Sequence, residues 1–174
     1  MINFYPGTPQ EILKPAKTGF IAFTLLTAAL INVLPWTGWG LWVRPDFVVL
    51  VLLYWCIDQP RKVGFAVAWV LGLTMDVADG SLFGQHALAY SIVAFAGIVL
   101  HRRVQRFSIT PQALHVIPLL LLNDLIVLVV RLASGRDFPG YWYFLGSLVG
   151  GLLWPALSYL LKLPQRPRAD LDHA

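Results

Sequence analysis

Residues 111–132 read PQALHVIPLLLLNDLIVLVVRL, a mostly apolar run with Asn123 and Asp124 near its middle. A helix needs about 20 mostly apolar residues to cross the hydrocarbon core of a bilayer, so this stretch predicts a transmembrane helix. The whole chain shares this character, because its hydrophobic fraction is 57% and its charged fraction only 13%. Average soluble domains have roughly 45–50% and 25%. We therefore predict an integral membrane protein and not a soluble enzyme.

Five further apolar runs predict five more spans. The second of them, Phe47 to Ile57, would reach only roughly 17 Å at 1.5 Å per residue. We expect this span to begin upstream, around Trp39, and to break at Pro45; the alternative is a short helix preceded by a segment that dips into the membrane. The fold class is thus an all-α bundle of six transmembrane helices. The six runs are residues 18–34, 47–57, 63–77, 84–100, 111–132 and 141–163.

The positions of the basic residues predict the orientation. If the N-terminus is cytoplasmic, ten of the thirteen Lys and Arg residues fall on inside segments, and Arg44, Arg131 and Arg136 fall outside. Cytoplasmic loops carry such an excess of Lys and Arg, so we expect both termini inside. The formal charge of +4 then reflects the orientation of the chain in the membrane. We expect the basic residues to lie against anionic lipid headgroups and not to bind nucleic acid. We expect a cytoplasmic segment at 1–17, a membrane domain at 18–163 and a cytoplasmic tail at 164–174, with no removable targeting peptide.

Polar side chains concentrate towards the predicted outer ends of the helices. Such groups are costly at membrane depth and are candidates for function. One interpretation is a hydrogen-bonded network that closes the outer ends, with Asp124 paired to Arg131 or His86. The other is a site for a small molecule or an ion. The candidate cluster consists of Arg44, Asp46, Asp76, Asp79, Gln85, His86, Asp124 and Arg131.

Small residues recur every fourth position in two of the predicted helices. The third helix has Gly64, Ala68 and Gly72, and the sixth has Gly146 and Gly150. This spacing lets helix backbones approach closely. The pattern predicts helix packing within the chain or an interface with a partner helix.

Signatures of catalysis are missing from the sequence. It contains no HExxH, GxSxG or P-loop motif, each of which carries a known chemistry. The four histidines are dispersed, and Cys56 is the single cysteine. We expect no enzyme activity, no cofactor and no metal site.

The run from Asp76 through Gly80 to Gly84-Gln85-His86-Ala87-Leu88 resembles the MreD family of rod shape-determining proteins in its proteobacterial form. Arg44-Pro45-Asp46 and Leu153-Trp154-Pro155 extend the resemblance along the chain. The resemblance implies a non-enzymatic inner-membrane subunit of the rod complex, or elongasome, which directs side-wall peptidoglycan synthesis. It implies MreC as a direct partner, and MreB, RodA and a class B penicillin-binding protein in the wider complex.

The family is also similar in architecture to the S components of energy-coupling-factor transporters. That similarity implies a six-helix bundle with an outward-facing cavity, and a solute-binding transporter subunit is the alternative function. S components commonly carry an Ala-x-x-x-Ala pattern in the first helix. Residues 18–34 contain none, which counts against the alternative.

Overall fold

Apolar chains fold into helices in lipid because the bilayer offers no partners for backbone N–H and C=O groups. The computed structural model describes residues 15–38, 40 and 43–165. Every regular element in these ranges is helical, so the predicted all-α fold with six helices is confirmed; the segments 1–14 and 166–174 lie outside the described residues. The helices are α1 (Thr18–Val33), α2 (Phe47–Asp58), α3 (Phe65–Ala78), α4 (Gln85–Val104), α5 (Ile109–Ala133) and α6 (Leu145–Lys162), with short 3-10 helices at Tyr141–Phe144 and Leu163–Gln165.

Length divides the helices into two groups. Three stretches are long and apolar enough to cross a membrane, namely Gln85–Val104, Ile109–Ala133 and Tyr141–Gln165. The remaining three helices are apolar but have only 16, 12 and 14 residues. At 1.5 Å per residue they reach roughly 18–24 Å, less than the hydrocarbon core of about 30 Å. They therefore depend on packing against the longer helices.

The shortest helix, α2, lies at the centre of the bundle. Every residue from Val48 to Ile57 is buried, and α1, α4, α5 and α6 all pack against the helix. The Asp46 carboxylate caps it by accepting hydrogen bonds from the backbone N–H groups of Val48 and Val49. Its length is possible because its neighbours, and not lipid, surround it.

The expected break at Pro45 falls partly on residues outside the described ranges. α2 begins just after Pro45, and residues 44–46 are not helical. Gly40 and Val43 have helical backbone, but residues 39, 41 and 42 are not described. The upstream half of the second span stays a prediction.

α3 and α4 form a closely packed antiparallel pair. A Cβ atom added at Gly72 would lie 2.3 Å from the Cα of Ala87, so the two backbones nearly touch. Ala68, one turn earlier, is fully buried. Gly64 lies outside this contact, because it precedes α3 and a Cβ there would meet nothing within 4 Å.

The glycines of α6 face other parts of the same chain. A Cβ added at Gly146 would lie 2.6 Å from the backbone oxygen of Arg44, and one at Gly150 would lie 3.0 Å from Leu120 of α5. These positions let α6 approach the turn before α2 and the side of α5. The structure thus places both glycines in packing within the chain.

Polar contacts connect the loops that carry most of the basic residues, and these loops lie at one end of the bundle. Lys62 donates to the backbone oxygen of Ala16, and Gln105 donates to that of Ile57 at 2.7 Å. We call this the basic end; its described basic residues are Lys17, Arg61, Lys62, Arg102, Arg103, Arg106 and Lys162. The opposite end is formed by the last turns of α1, α3 and α5 and the first turns of α2, α4 and α6, and it holds the candidate site.

Candidate functional site

A polar cavity of about 560 Å³ opens at the end of the bundle opposite the basic end. It brings together seven of the eight members of the predicted polar cluster; the eighth, Asp76, lies beside it and contacts the lining residues Ser81 and His86. Its lining residues are Asn32, Arg44, Asp46, Asp79, Ser81, Gln85, His86, Asn123, Asp124, Val127, Arg131, Arg136, Pro139, Tyr143, Gly146 and Ser147.

Asp46 joins three helices at the cavity wall. One carboxylate oxygen accepts hydrogen bonds from Asn32 at the end of α1 (2.8 Å), and the other accepts from the Tyr90 hydroxyl of α4 (2.6 Å). Asn32 in turn accepts from the backbone N–H of Phe47 at 3.0 Å. With the two α2 backbone donors described above, the Asp46 carboxylate has four donors. This group is structural, since its hydrogen-bonding capacity is used within the protein.

Asp76 fastens the end of α3 to the start of α4. Its carboxylate accepts hydrogen bonds from the backbone N–H of Gly84 (2.8 Å) and of His86 (2.7 Å). The Ser81 hydroxyl donates at 3.0 Å, and His86 Nδ1 lies at 2.9 Å. Gly84 has φ +99°, which L side chains rarely adopt. The family-like run from Asp76 to His86 is therefore a helix-capping turn.

Asp79 lies near the other nitrogen of the same imidazole. Its carboxylate is 3.9 Å from His86 Nε2, and its side chain is about one-third exposed. Burial raises the pKa of the Asp79 carboxyl above its ordinary value, while His86 and Arg44 act in the opposite direction.

Asp124 has a different partner from the one predicted. The Ser147 hydroxyl of α6 donates to its carboxylate, and among the described residues the ion pairs join His86 to Asp76 and to Asp79. The predicted pairing of Asp124 with Arg131 or His86 was wrong. Arg131 instead donates through Nε to the backbone oxygen of Asp137 at 3.2 Å, because the turn after α5 folds back towards it.

Several lining residues were not predicted as part of the cluster. Asn32 carried a detectable signal, since it is a polar residue near the end of an apolar helix. No pattern in the sequence groups Ser147 or Tyr143 with the cluster, and Arg136 was predicted only to lie on the outer side. Tyr90, which holds Asp46, carried no signal that distinguishes it from the other aromatic residues of the chain.

Two side-chain oxygens at the cavity have no partner. The side chains of Gln85 and Asn123 line it, and their Oε1 and Oδ1 atoms accept no hydrogen bond within the described structure. Both residues are at least nine-tenths buried. In the same part of the chain, no three His, Cys, Asp or Glu side chains come together as metal ligands would. The cavity is therefore a polar pocket whose hydrogen-bonding capacity is only partly used.

Comparison with known proteins shows which family this chain is similar to. A family model described as rod shape-determining protein MreD matches residues 16–163. The Rod shape-determining protein MreD of Haemophilus influenzae is 31% identical over 156 residues, covering 86% of this chain and 96% of that protein. No solved structure gives a significant match.

The fold, the cavity and these matches define the class of protein as an all-α membrane protein with a polar cavity at one end of its helix bundle. More particularly, the chain belongs to the MreD family of rod shape-determining proteins. The resemblance noted in the sequence is thereby confirmed.

Proposed function

We propose that this MreD-family protein is a non-enzymatic subunit of the bacterial rod complex that binds MreC and so helps to organise side-wall peptidoglycan synthesis. The observation that carries the proposal is the family match over residues 16–163, a range that contains all six helices. MreB, RodA and a class B penicillin-binding protein belong to the wider assembly. Rod cell shape is then an output of the whole complex.

The shape of the chain supports a role that is exercised through helix contacts. The connections between successive α-helices after α2 contain four to eleven residues each. Loops of this size are too short to form an extramembrane domain of their own. A protein built this way meets its partners mainly within the membrane.

The distribution of charge supports an orientation in the inner membrane. Seven described Lys and Arg residues lie at the basic end, and Arg44, Arg131 and Arg136 lie at the cavity end. Since cytoplasmic loops carry the excess of Lys and Arg, the basic end faces the cytoplasm. The cavity then opens on the periplasmic side, and both termini are cytoplasmic.

An apolar groove between α1 and α6 is the first surface to examine for a partner helix. It has a volume of about 340 Å³, and α2 forms its floor through Phe47 and Val51. On α1 it runs from Phe20 to Ile31, which is roughly 16 Å of helix at 1.5 Å per residue. Gly146 and Gly150 are less suitable as a partner surface, because the chain's own α2 turn and α5 occupy them.

The test is affinity purification in mild detergent followed by mass spectrometry of the proteins that are recovered. We expect MreC among them. A Thr27→Trp variant, which fills the groove, should lower its recovery at least about tenfold, equivalent to about 1.4 kcal/mol of binding free energy.

Leu30→Trp is the matched control, because Leu30 is 62% exposed on the same helix and does not line the groove. An equal loss of MreC recovery with both variants would show that the groove is not the interface. If MreC were absent with the unaltered protein, or if rod shape and MreC localisation survived deletion of the gene, the proposed function itself would fall.

A further inference from the structure

The cavity holds arginine and aspartate side chains that form no ion pair with one another among the described residues. Arg44, Arg131 and Arg136 line it together with Asp79 and Asp124. In the part of the chain that the structure describes, no arginine forms an ion pair with a carboxylate. Arg44 and Arg131 are partly buried, and a charge in such a place is costly when it lacks a counter-ion. An arrangement of this kind is completed by a molecule that carries both charges.

The unpartnered oxygens specify which group such a molecule must present. Gln85 Oε1 and Asn123 Oδ1 can only accept hydrogen bonds, and an acceptor that is buried without a donor destabilises the protein. Both residues line the cavity and are at most 5% exposed. Asp124 is the neighbour of Asn123, and its carboxyl group is a further acceptor at the cavity. A primary ammonium supplies the N–H donors that these oxygens lack and can pair with this carboxyl group.

The two kinds of group lie at different depths along α5. Arg131 follows Asp124 by seven residues, which is roughly 10 Å along the helix at 1.5 Å per residue and two turns on the same face. Arg136 follows in the turn after α5. Asn123 and Asp124 therefore lie deeper in the cavity than these arginines, and Gln85 reaches the cavity from the first turn of α4. This polarity orients a ligand with its ammonium inward and its anionic group outward.

We propose that the cavity binds a small zwitterion, a molecule with a primary ammonium and a carboxylate or phosphate a few ångströms apart. The ammonium donates to Asn123 Oδ1, Gln85 Oε1 and the Asp124 carboxylate. The anionic group pairs with the Arg131 and Arg136 guanidinium groups. The volume of about 560 Å³ lies within the range of small-molecule sites, about 300–1,000 Å³. The proposal does not depend on binding of MreC.

Two sources offer this chemistry, a lipid headgroup of the ethanolamine type and a free amino-acid-like solute. The test uses the full chain purified in dodecyl maltoside, with native mass spectrometry and thermal unfolding as readouts. The probes are short-chain phosphatidylethanolamine, O-phosphoethanolamine and L-alanine. Ethanolamine, inorganic phosphate and short-chain phosphatidylglycerol each lack one of the two charges. We expect at least one zwitterion to bind at least about tenfold more tightly than any of these three. The same zwitterion should raise the melting temperature of the protein.

Variants distinguish this site from non-specific binding. Gln85→Met and Arg131→Gln should each weaken the binding of the zwitterion about tenfold. Gln85→Met is also expected to fold, because it keeps the length of the side chain and removes only the amide. Ser158→Ala is the control, since the Ser158 hydroxyl is likewise buried without a partner but lies outside the cavity; it should leave binding unchanged.

Each outcome decides the proposal. Binding of the lipid alone identifies a headgroup, and binding of the soluble probes identifies a free zwitterion; both support the site. Equal binding of phosphate, ethanolamine or phosphatidylglycerol overturns it, as does an absence of binding by all zwitterions. Retention of full affinity in both cavity variants would also overturn it.

Discussion

At the residue scale, the Asp76 carboxylate holds the end of α3 and the start of α4 together. It has no exposed side-chain surface and accepts from two backbone N–H groups of the turn into α4, at Gly84 and His86. Removing it with Asp76→Ala leaves these donors without their acceptor. We expect the unfolding free energy in detergent to fall by about 3 kcal/mol, measured by chemical unfolding followed through tryptophan fluorescence.

Asp79 is the matched control for this change. It is also an aspartate beside His86, but its side chain is 35% exposed and its distance to the imidazole is 3.9 Å. Exposed ion pairs contribute less than about 1 kcal/mol, so Asp79→Ala should have a small effect on stability. Equal losses for the two alanine variants would contradict the capping role of Asp76.

Tyr90 supplies a second residue-scale prediction. Its hydroxyl donates to Asp46 at 2.6 Å, and the residue is fully buried. Tyr90→Phe should lower the unfolding free energy by about 1–2 kcal/mol, because the Asp46 carboxylate loses one of its donors. Tyr141→Phe, at a residue that is 87% exposed, should change it by less than about 0.5 kcal/mol. The same unfolding measurement compares both variants, and indistinguishable midpoints would refute the prediction.

The sequence predicted most of the cavity-end cluster but not its internal pairing. Polar residues in apolar helices are conspicuous, so Asp46, His86 and Asp124 could be singled out by type and position. Which of these side chains are in contact depends on the rotation of each helix and on the conformation of the loops. Asp124 contacts Ser147 because α6 approaches α5 through its glycines. The spacing of residues along α5 alone does not reveal how close α6 comes to Asp124.

At the scale of elements, the contact between α3 and α4 gives a prediction with an internal control. The Cβ of Gly72→Ala would lie 2.3 Å from the Cα of Ala87, and backbone atoms cannot move aside as side-chain ends do. We expect a loss of about 1–3 kcal/mol. Gly19→Ala in α1, where a Cβ meets nothing within 4 Å, should cause no loss, because alanine is the better helix former. Thermal unfolding in detergent checks both, and a stabilised Gly72→Ala variant would disprove the close contact.

The central position of α2 was beyond the reach of sequence reasoning for a physical reason. A helix that is apolar on all sides is buried in protein or faces lipid, and both environments select the same residue types. The run at 47–57 therefore indicated a helix but not its surroundings. Its short length was the available clue, since a helix of 12 residues suits a protein interior better than a bilayer.

At the scale of the whole molecule, the proposed orientation can be measured directly. Cys56 is fully buried, so introduced cysteines report against a low background. Ser134→Cys places a thiol at the exposed turn after α5, and Arg61→Cys places one at the exposed basic end. In spheroplasts, a membrane-impermeant maleimide should label Ser134→Cys at once and Arg61→Cys only after permeabilisation. The reverse pattern would invert the proposed topology.

The burial of α2 among helices from both halves of the chain has a consequence for biogenesis. α2 emerges from the ribosome early, yet one of its walls is α6, where the Trp154 ring lies tilted against Tyr54 with 6.0 Å between ring centroids. Until residues 145–162 are synthesised, that side of the helix has no protein neighbour. The core around α2 is therefore completed only when the last helix has been synthesised, near the end of translation.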